Sequence, residues 1–229
     1  MNHERILVVA AHPDDEILGC GGTMALLSRR AEVRIFIVGE GITSRVGVTP
    51  DEATKQLADL RDDARRAAQR VGADVSFAGL PDNRLDTVPL LEIGQLIEEQ
   101  VEAFKPGAIF THFPGDLNVD HRQVFNAVMI AARPPSAPAI AEIHCFEVLS
   151  STEWAFGRIN GAFNPQTFYD ISSTVEAKVE AMLEYRSERR SFPHPRSSES
   201  IRAAATRWGT VVGVSAAEAF VTVRQIRRS

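Results

Sequence analysis

The chain has 229 residues, of which 44% are hydrophobic and 24% are charged, and its formal net charge is −5. These proportions are those of a globular protein large enough to bury a single core, so they exclude a disordered chain. The acidic surplus argues against a general nucleic-acid-binding role, because phosphate binding requires a basic surplus.

The two cysteines, Cys20 and Cys145, lie far apart and lack a Cys-x-x-Cys spacing. The sequence therefore predicts neither a disulfide framework nor a cysteine zinc site. The apolar run 6–11 ends at the acidic segment 12–16 and is too short for a signal peptide. No stretch approaches the roughly 20 apolar residues that span a bilayer. We therefore expect a cytoplasmic protein without a membrane span.

Runs of apolar, β-branched residues alternate along the chain with stretches that have apolar residues at helical spacing. Residues 6–11 are apolar throughout, which is typical of a strand buried on both faces of a parallel sheet. In residues 50–71 the apolar side chains share one helical face, and Gly72 supplies a C-terminal glycine. The predicted elements are strand 6–11, helix 23–30, strand 33–38, helix 50–71, strand 74–78, helix 89–104, strand 107–111, helix 120–132, strand 143–149, helix 173–189 and strand 219–226.

This alternation predicts an α/β fold: one Rossmann-like domain over residues 1–229, with a mostly parallel sheet and helices on both faces. The proline-rich segment 133–138 is predicted to be a non-helical connection. Residues 154–169 are predicted to form a loop, and the region from about 150 to 200 to contribute a wall of the pocket. Ligands of such sheets bind beyond the carboxyl ends of the strands. Polar segments follow predicted strands at 12–16, 39–45, 81–86 and 112–121.

The strongest local motif is His12-Pro13-Asp14-Asp15-Glu16, directly after the first strand. Imidazole and carboxylate groups are the usual ligands of a catalytic zinc ion, which keeps three protein ligands and one water. One carboxylate of the motif could bind a metal while its neighbour stays free as a base. A turn followed by a helix N-terminus is an equally good interpretation of this segment alone, since acidic side chains favour a first helical turn.

A second polar segment, 115–121, lies at a predicted strand-to-helix junction. Here His121 is a candidate third ligand, and Asp120 could either orient a protonated group or cap the helix. The alternative for His121 is a histidine on the helix surface. The glycine-rich segment 19–22 lacks the spacing of a phosphate-binding turn, so we expect it to allow close helix packing behind the first motif.

Together the two motifs resemble those of the LmbE/PIG-L family of zinc-dependent N-deacetylases. Ala-His-Pro-Asp-Asp-Glu stands at 11–16 and Asn-Val-Asp-His at 118–121. The resemblance covers nearly the whole chain, with further parts at 18–23, 60–61, 80–82 and 209–220. It implies that His12, Asp15 and His121 bind Zn²⁺, with another divalent ion such as Fe²⁺ as the alternative. It also implies that Asp14 is the general base.

The same resemblance implies that Arg61 and Asp82 contact the substrate, and that Asp120 assists from the outer shell of the metal. We add Arg84 because it lies in the same loop as Asp82. A salt bridge on a solvated helix face is the alternative for Arg61.

One position departs from the family pattern. Many members have a histidine where this chain has Asn118, and an amide can donate a hydrogen bond but not a proton at neutral pH. Asn118 is therefore expected to stabilise an oxyanion at most. The proton for the leaving amine would come from Asp14, after it has accepted the proton of water, or from His112.

The resemblance implies a metal-dependent hydrolase of linear amide bonds. It would remove the acetyl group from an N-acetylglucosamine-type sugar or sugar conjugate and release acetate and a free amine. An amidase for a non-sugar N-acyl compound and a non-catalytic nucleotide-binding domain of the same fold are the alternatives. The expected partner is a small-molecule N-acetylated sugar, with no nucleic acid and no membrane span, and self-association into a homo-oligomer stays open.

Overall fold

The fold is known from a computed structural model that describes residues 3–134 and 140–227. Most of the predicted connection 133–138 therefore lies outside the described residues. The strands are β1 (Arg5–Ala10), β2 (Glu32–Gly39), β3 (Asp74–Leu80), β4 (Ala108–His112), β5 (Glu142–Phe146), β6 (Thr167–Asp170) and β7 (Ala217–Gln225). The helices are α1 (Asp15–Leu27), α2 (Pro50–Arg70), α3 (Leu90–Phe104), α4 (Val119–Ala131), α5 (Val175–Glu184) and α6 (Ser198–Val212). None of these helices is both long and apolar enough to cross a bilayer.

All seven strands belong to one sheet with the order β3-β2-β1-β4-β5-β7-β6. The first five strands in this order are parallel, whereas β7 is antiparallel to both of its neighbours. From β1 the chain builds outward to β3 on one side and then returns to place β4 on the other side. This reversal opens a crevice beyond the ends of β1 and β4, where ligands of such sheets bind. The predicted α/β fold with a mostly parallel sheet is confirmed.

Alternate residues of β1 pack on opposite faces of the sheet. Ile6 and Val8 belong to a buried cluster with apolar residues of α1, α2 and α5, while Leu7 and Val9 belong to another with α3 and α4. The core therefore has two layers, one on each face, and the continuous apolar run at 6–11 reflects burial on both sides.

Several predicted boundaries or elements differ from the structure. The predicted helix 173–189 is shorter, since α5 ends at Glu184, and the predicted strand 143–149 ends at Phe146. Helix α1 begins at Asp15 rather than at residue 23, and it continues through the glycine-rich segment with a kink at Cys20. The predicted loop 154–169 is wrong at its end, because β6 begins at Thr167. Helix α6 was not predicted; its N-cap is Ser197, whose side chain accepts a hydrogen bond from the backbone N–H of Ser200.

The glycines of α1 allow very close packing. A Cβ atom at Gly19 would lie 2.3 Å from the ring of Phe146, and one at Gly22 would lie 2.7 Å from Ile171. Such distances leave no room for a side chain. The expectation that segment 19–22 serves close helix packing behind the first motif is confirmed.

A buried ion pair occupies the kink of α1. Lys178 Nζ donates to the carbonyl oxygen of Leu18 at 2.8 Å and lies 2.6 Å from Glu218 Oε1. The Glu218 carboxylate in turn accepts hydrogen bonds from the backbone N–H groups of Gly22, at 3.0 Å, and Thr23, at 2.6 Å. Side chains of α5 and β7 thus satisfy backbone groups that the interrupted helix leaves open.

We predict that Lys178→Met destabilises the protein by about 3–5 kcal/mol, because it leaves the buried carboxylate of Glu218 without its counter-charge. Urea denaturation monitored by circular dichroism measures the free energy of unfolding. The matched control is Arg202→Met, which breaks an exposed pair with Glu176 and should cost less than about 1 kcal/mol. Equal effects of the two substitutions would contradict this role of the buried pair.

Candidate active site

The loops that follow β1, β2, β3 and β4 meet at the carboxyl edge of the sheet, as the sequence predicts. They enclose a cavity of about 220 Å³. Segments beyond α4 complete its wall. Among the residues that line it are His12, Asp14, Asp15, Ser44, Arg45, Asp82, Asn83, Asn118, His121, Ser150, Ser151, Glu188 and Arg196.

The three predicted metal ligands lie together at the base of this arrangement. Oδ2 of Asp15 is 3.4 Å from Nδ1 of His12 and 3.2 Å from Nε2 of His121. The candidate ligand atoms of this trio all lie within 4.8 Å of one another. With metal–ligand bonds of about 2.0–2.1 Å, the ligands of a tetrahedral zinc ion stand about 3.4 Å apart. The spacing and the donor types therefore fit a divalent cation.

Each of the two imidazoles has a carboxylate behind it. Asp120 Oδ2 lies 2.9 Å from Nε2 of His12, and Asp116 Oδ1 lies 3.0 Å from Nδ1 of His121. Such outer carboxylates fix the orientation of a histidine ligand and its tautomer, so that the opposite nitrogen faces the metal. Asp120, predicted to be catalytic from the outer shell, thus contacts the candidate ligand His12 directly.

The electrostatics of the cluster favour a cation. Burial would raise the pKa of Asp15, but the charge of His121 and the hydrogen bonds of both imidazoles outweigh it and hold that pKa well below its usual range. Burial would lower the pKa of His12, but hydrogen bonds to Asp120 and Asp15 raise it to about 10. In the same way, nearby carboxylates raise the pKa of His121 to about 9 against its desolvation. The surrounding carboxylates thus favour the protonated, positive form of both imidazoles, and a bound cation could supply that positive charge instead of the protons.

A second acidic set, formed by His12, Asp82 and Asp120, also has ligand-type atoms within 4.8 Å of one another. Its geometry has a simpler cause than a second ion, because both carboxylates approach the same nitrogen of His12. Asp82 Oδ1 lies 3.4 Å from this Nε2 atom. Asp82 also accepts a hydrogen bond from the hydroxyl of Ser44 and lines the cavity, where a substrate contact was predicted.

Asp14 lies beside the cluster without belonging to it. Its backbone is left-handed, with φ at 104°, which is strained for a residue other than glycine and typical of functional sites. Burial raises the pKa of its carboxyl well above the usual range, against the opposing charge of Arg196. Asp14 is thus a buried carboxylate at the cavity wall, adjacent in sequence to the candidate ligand Asp15.

Asn118, and not Asp120, caps helix α4. Its Oδ1 atom accepts a hydrogen bond from the backbone N–H of Asp120 at 2.8 Å, while its Nδ2 donates to Asn83 Oδ1 at 3.1 Å. The helix-cap alternative considered for Asp120 is therefore wrong. The amide of Asn118 keeps its N–H₂ group as a donor at the cavity wall.

Two of the predicted substrate contacts are not brought to the cavity. The guanidinium of Arg61 lies over the ring of Phe77, 5.5 Å from the ring centroid, and is not among the lining residues. Arg84 is exposed and also lies outside the lining. Of the three residues predicted to bind substrate, the structure places Asp82 alone at the cavity, and the roles of the other two stay predictions.

His112 is a poor candidate for proton donor. It is the last residue of β4, it is fully buried, and its Nε2 accepts a hydrogen bond from the backbone N–H of Ala11 at 2.7 Å. Burial, with the neighbouring charge of His121, holds its pKa well below the usual range. The neutral ring is thus part of the framework, stacked on His121 with ring centroids 4.0 Å apart. The expectation that His112 could protonate the amine is not supported by this geometry.

Sequence reasoning missed several residues of the site. Asp116 lies inside the polar segment 115–121, so its place at a strand end was a usable signal. Its carboxylate is buried and also accepts hydrogen bonds from the hydroxyls of Ser151 and Thr152. Arg196 and Glu188 come from the connection between α5 and α6, and no local pattern links them to the first motif.

The family described as "PIG-L: GlcNAc-PI de-N-acetylase" matches residues 7–132. The chain belongs to this family. The matched range begins within β1 and ends one residue after α4. It therefore contains all three candidate ligands and the carboxylates of Asp116 and Asp120 behind the two imidazoles.

Individual PIG-L relatives are distant but extend over most of the chain. "Uncharacterized deacetylase YaiS" of Escherichia coli (strain K12) is 27% identical over 191 residues, covering 80% of this chain and 90% of that protein. "Probable N-acetyl-alpha-D-glucosaminyl L-malate deacetylase 2" of Bacillus cereus is 24% identical over 195 residues, covering 80% of this chain and 83% of that protein.

Solved structures share the fold. The N,N'-diacetylchitobiose deacetylase of Pyrococcus horikoshii superposes with a TM-score of 0.77 at 20% identity, over 97% of this chain and 84% of that chain. GalB, the 4-carboxy-2-hydroxymuconate hydratase of Pseudomonas putida KT2440, has a TM-score of 0.71 at 19% identity, over 99% and 98% of the two chains. Since the second protein is a hydratase, the fold by itself does not determine the reaction.

We predict that His121→Ala lowers the metal content of the purified protein, because it removes one of three candidate ligands. Elemental analysis after dialysis against a buffered metal solution measures the metal bound per chain. Unchanged metal content in this variant would refute the ligand role.

A second prediction concerns the carboxylate behind His121. Asp116→Asn should weaken metal binding about 10- to 100-fold, which is typical when the outer partner of a histidine ligand is removed. Competition with a chelating dye measures the affinity. Asp86→Asn, at an exposed aspartate outside the cavity lining, is the matched control and should bind metal as the parent does. Parental affinity in Asp116→Asn would contradict the assignment.

Proposed function

We propose that this protein is a metal-dependent hydrolase that removes the acetyl group from an N-acetylglucosamine-type sugar or sugar conjugate. The observation that carries the proposal is the buried trio of His12, Asp15 and His121, with the carboxylate of Asp14 beside it at the wall of one cavity. Two imidazoles, one carboxylate and an adjacent base are the parts that hydrolysis of an amide by a metal-activated water requires.

The substrate class is supported by the cavity and by the relatives. Most side chains of the cavity wall carry hydroxyl, amide, carboxylate or guanidinium groups, which suit the hydroxyls of a sugar. The family name and the names of the relatives from Bacillus and Pyrococcus refer to the removal of acetyl groups from amino-sugar compounds. Zn²⁺ fits the donor set, and Fe²⁺ is the alternative ion.

A bound divalent ion would lower the pKa of water to about 7 and polarise the acetamide carbonyl. Asp14 takes the proton of the attacking water as the new C–O bond forms. When the C–N bond breaks, Asp14 returns that proton to the amine nitrogen, so acetate and a free amine leave. This return is needed because Asn118 cannot supply a proton, whereas its Nδ2 can donate a hydrogen bond to the developing oxyanion.

An amidase acting on a non-sugar N-acyl compound would use the same residues, so substrate assays separate the two. A non-catalytic nucleotide-binding domain has no specific support, because the glycine-rich segment 19–22 is used for packing. Residues 1–229 as one catalytic domain, a cytoplasmic location and assembly into homo-oligomers stay predictions from the sequence.

We predict that the parent protein, loaded with Zn²⁺, releases acetate from at least one member of a panel of N-acetylated sugars and sugar conjugates. N-acetylated amino acids and polyamines in the same panel represent the non-sugar alternative. Removal of the metal with a chelator should abolish the release, and added Zn²⁺ should restore it. Activity on the non-sugar compounds alone would overturn the substrate class.

Asp14→Asn should keep the metal but lower kcat about 100- to 10,000-fold, since it removes a general base without removing a ligand. Acetate release and metal content are measured on the same preparation. Turnover at the parental rate with bound metal would show that Asp14 is not the base.

A further inference from the structure

Alternating charges run along the wall of the cavity and end at Asp14. Nη1 of Arg196 lies 2.9 Å from Oδ2 of Asp14 and 3.1 Å from Oε2 of Glu188. The other oxygen of Glu188 is paired with Arg45. All four side chains line the same cavity. The chain of charges therefore links the proposed base to the connection between α5 and α6, which lies outside the range that matches the family.

The guanidinium of Arg196 is held in a fixed place. Its Nε donates to the hydroxyl of Ser150 at 2.9 Å, and its Nη1 donates to Oε2 of Glu188 at 3.1 Å. The side chain is 24% exposed, so most of it is removed from water. A planar group with partners on two of its nitrogens keeps its orientation, which a flexible lysine in the same place would not.

Asp14, by contrast, has few restraints of its own. Its side chain is short and buried, and it does not cap α1, the helix that follows it. Among the described residues, Arg196 is the cation within ion-pair distance of its carboxylate. The rotation of the Asp14 carboxylate thus depends on an arginine that follows it far along the chain.

We propose that Arg196 is a positioning residue for Asp14. Through its ion pair with Oδ2 it restrains the carboxylate, so that Oδ1 is the oxygen that accepts the proton of water and later returns it to the amine. Glu188 contacts the same Nη1 atom and, with Ser150 at Nε, keeps the guanidinium from turning away. This inference rests on the proposed function, and it adds to it a residue that the family match does not include.

Geometry is the reason why such a residue would matter. A general base works only within hydrogen-bond reach of the proton that it takes, and a misplacement of about 1 Å can cost about 100-fold in rate. Arg196 forms no bond to the reacting atoms in this scheme. Its loss should therefore lower kcat and leave both substrate affinity and metal content close to those of the parent.

The experiment compares the metal-loaded parent with Arg196→Ala and Arg196→Lys, using a substrate that the parent hydrolyses. We expect Arg196→Ala to lower kcat about 100-fold with little change in KM, in metal content or in melting temperature. Arg196→Lys keeps the charge but loses the fork, so its kcat should lie between those of the parent and the alanine variant. Added methylguanidinium, which fits the space vacated in Arg196→Ala, should restore part of the lost kcat.

The matched control is Arg202→Ala. Arg202 lies on α6 and forms an exposed ion pair with Glu176 of α5. This variant should have parental kcat and KM. Parental kcat in Arg196→Ala would overturn the inference, and so would a rise in KM at unchanged kcat, which would make Arg196 a substrate contact.

A loss of kcat that follows loss of metal or of folding, without rescue by methylguanidinium or by lysine, would make Arg196 purely structural and would also overturn the inference. An inactive parent would instead contradict the proposed function, and the inference with it. If the parent is active, parental kcat in Arg196→Ala, a rise in KM alone or a loss of kcat caused by loss of metal or folding contradicts the inference but not the proposed function.

Discussion

The carboxylate of Asp15 between the imidazoles of His12 and His121 is the contact on which the site depends. It joins the loop after β1 to the start of α4, and it does so because β1 and β4 are neighbours in the sheet. The carboxylates of Asp116 and Asp120 stand behind the two rings, so negative and positive groups alternate across the crevice. Buried charges of one sign persist only when they are paired in this way.

The ends of the sheet strands fix the positions of Asp15, His12 and His121 relative to one another. Gly39 at the end of β2 shows how tight the fit is, since a Cβ atom there would lie 2.9 Å from the carbonyl oxygen of Ala11 and 3.2 Å from the ring of His12. On the other side, His112 at the end of β4 accepts the backbone N–H of Ala11 and stacks on His121. The ring of His12 and the ring of His121 are therefore positioned by the rigid ends of strands, which suits a site that needs fixed geometry.

The sequence predicts those features that neighbouring residues determine, and it misses those that depend on contacts between residues far apart in the chain. The apolar run of β1 and the motif at 12–16 are local, so the mostly parallel sheet and the meeting of polar segments at its carboxyl edge could be predicted from them. The ligand roles stay predictions. The start of α1 was misplaced because glycines usually interrupt a helix, whereas here Lys178 and Glu218 satisfy the interrupted backbone. Arg196 was missed because its contact with Asp14 joins residues that are far apart in the sequence and exists only in the folded chain.

The buried pair of Lys178 and Glu218 at the kink of α1 shows that the site depends on residues late in the chain. The range that matches the family ends before α5 and β7, yet Lys178 and Glu218 hold α1, the helix that begins at Asp15. The hydroxyls that anchor Asp116 come from Ser151 and Thr152, again beyond that range. A fragment cut at the limit of the shared family region would thus carry every candidate ligand but none of these supports. The contacts that support the site thus extend beyond the part of the chain that the family description matches.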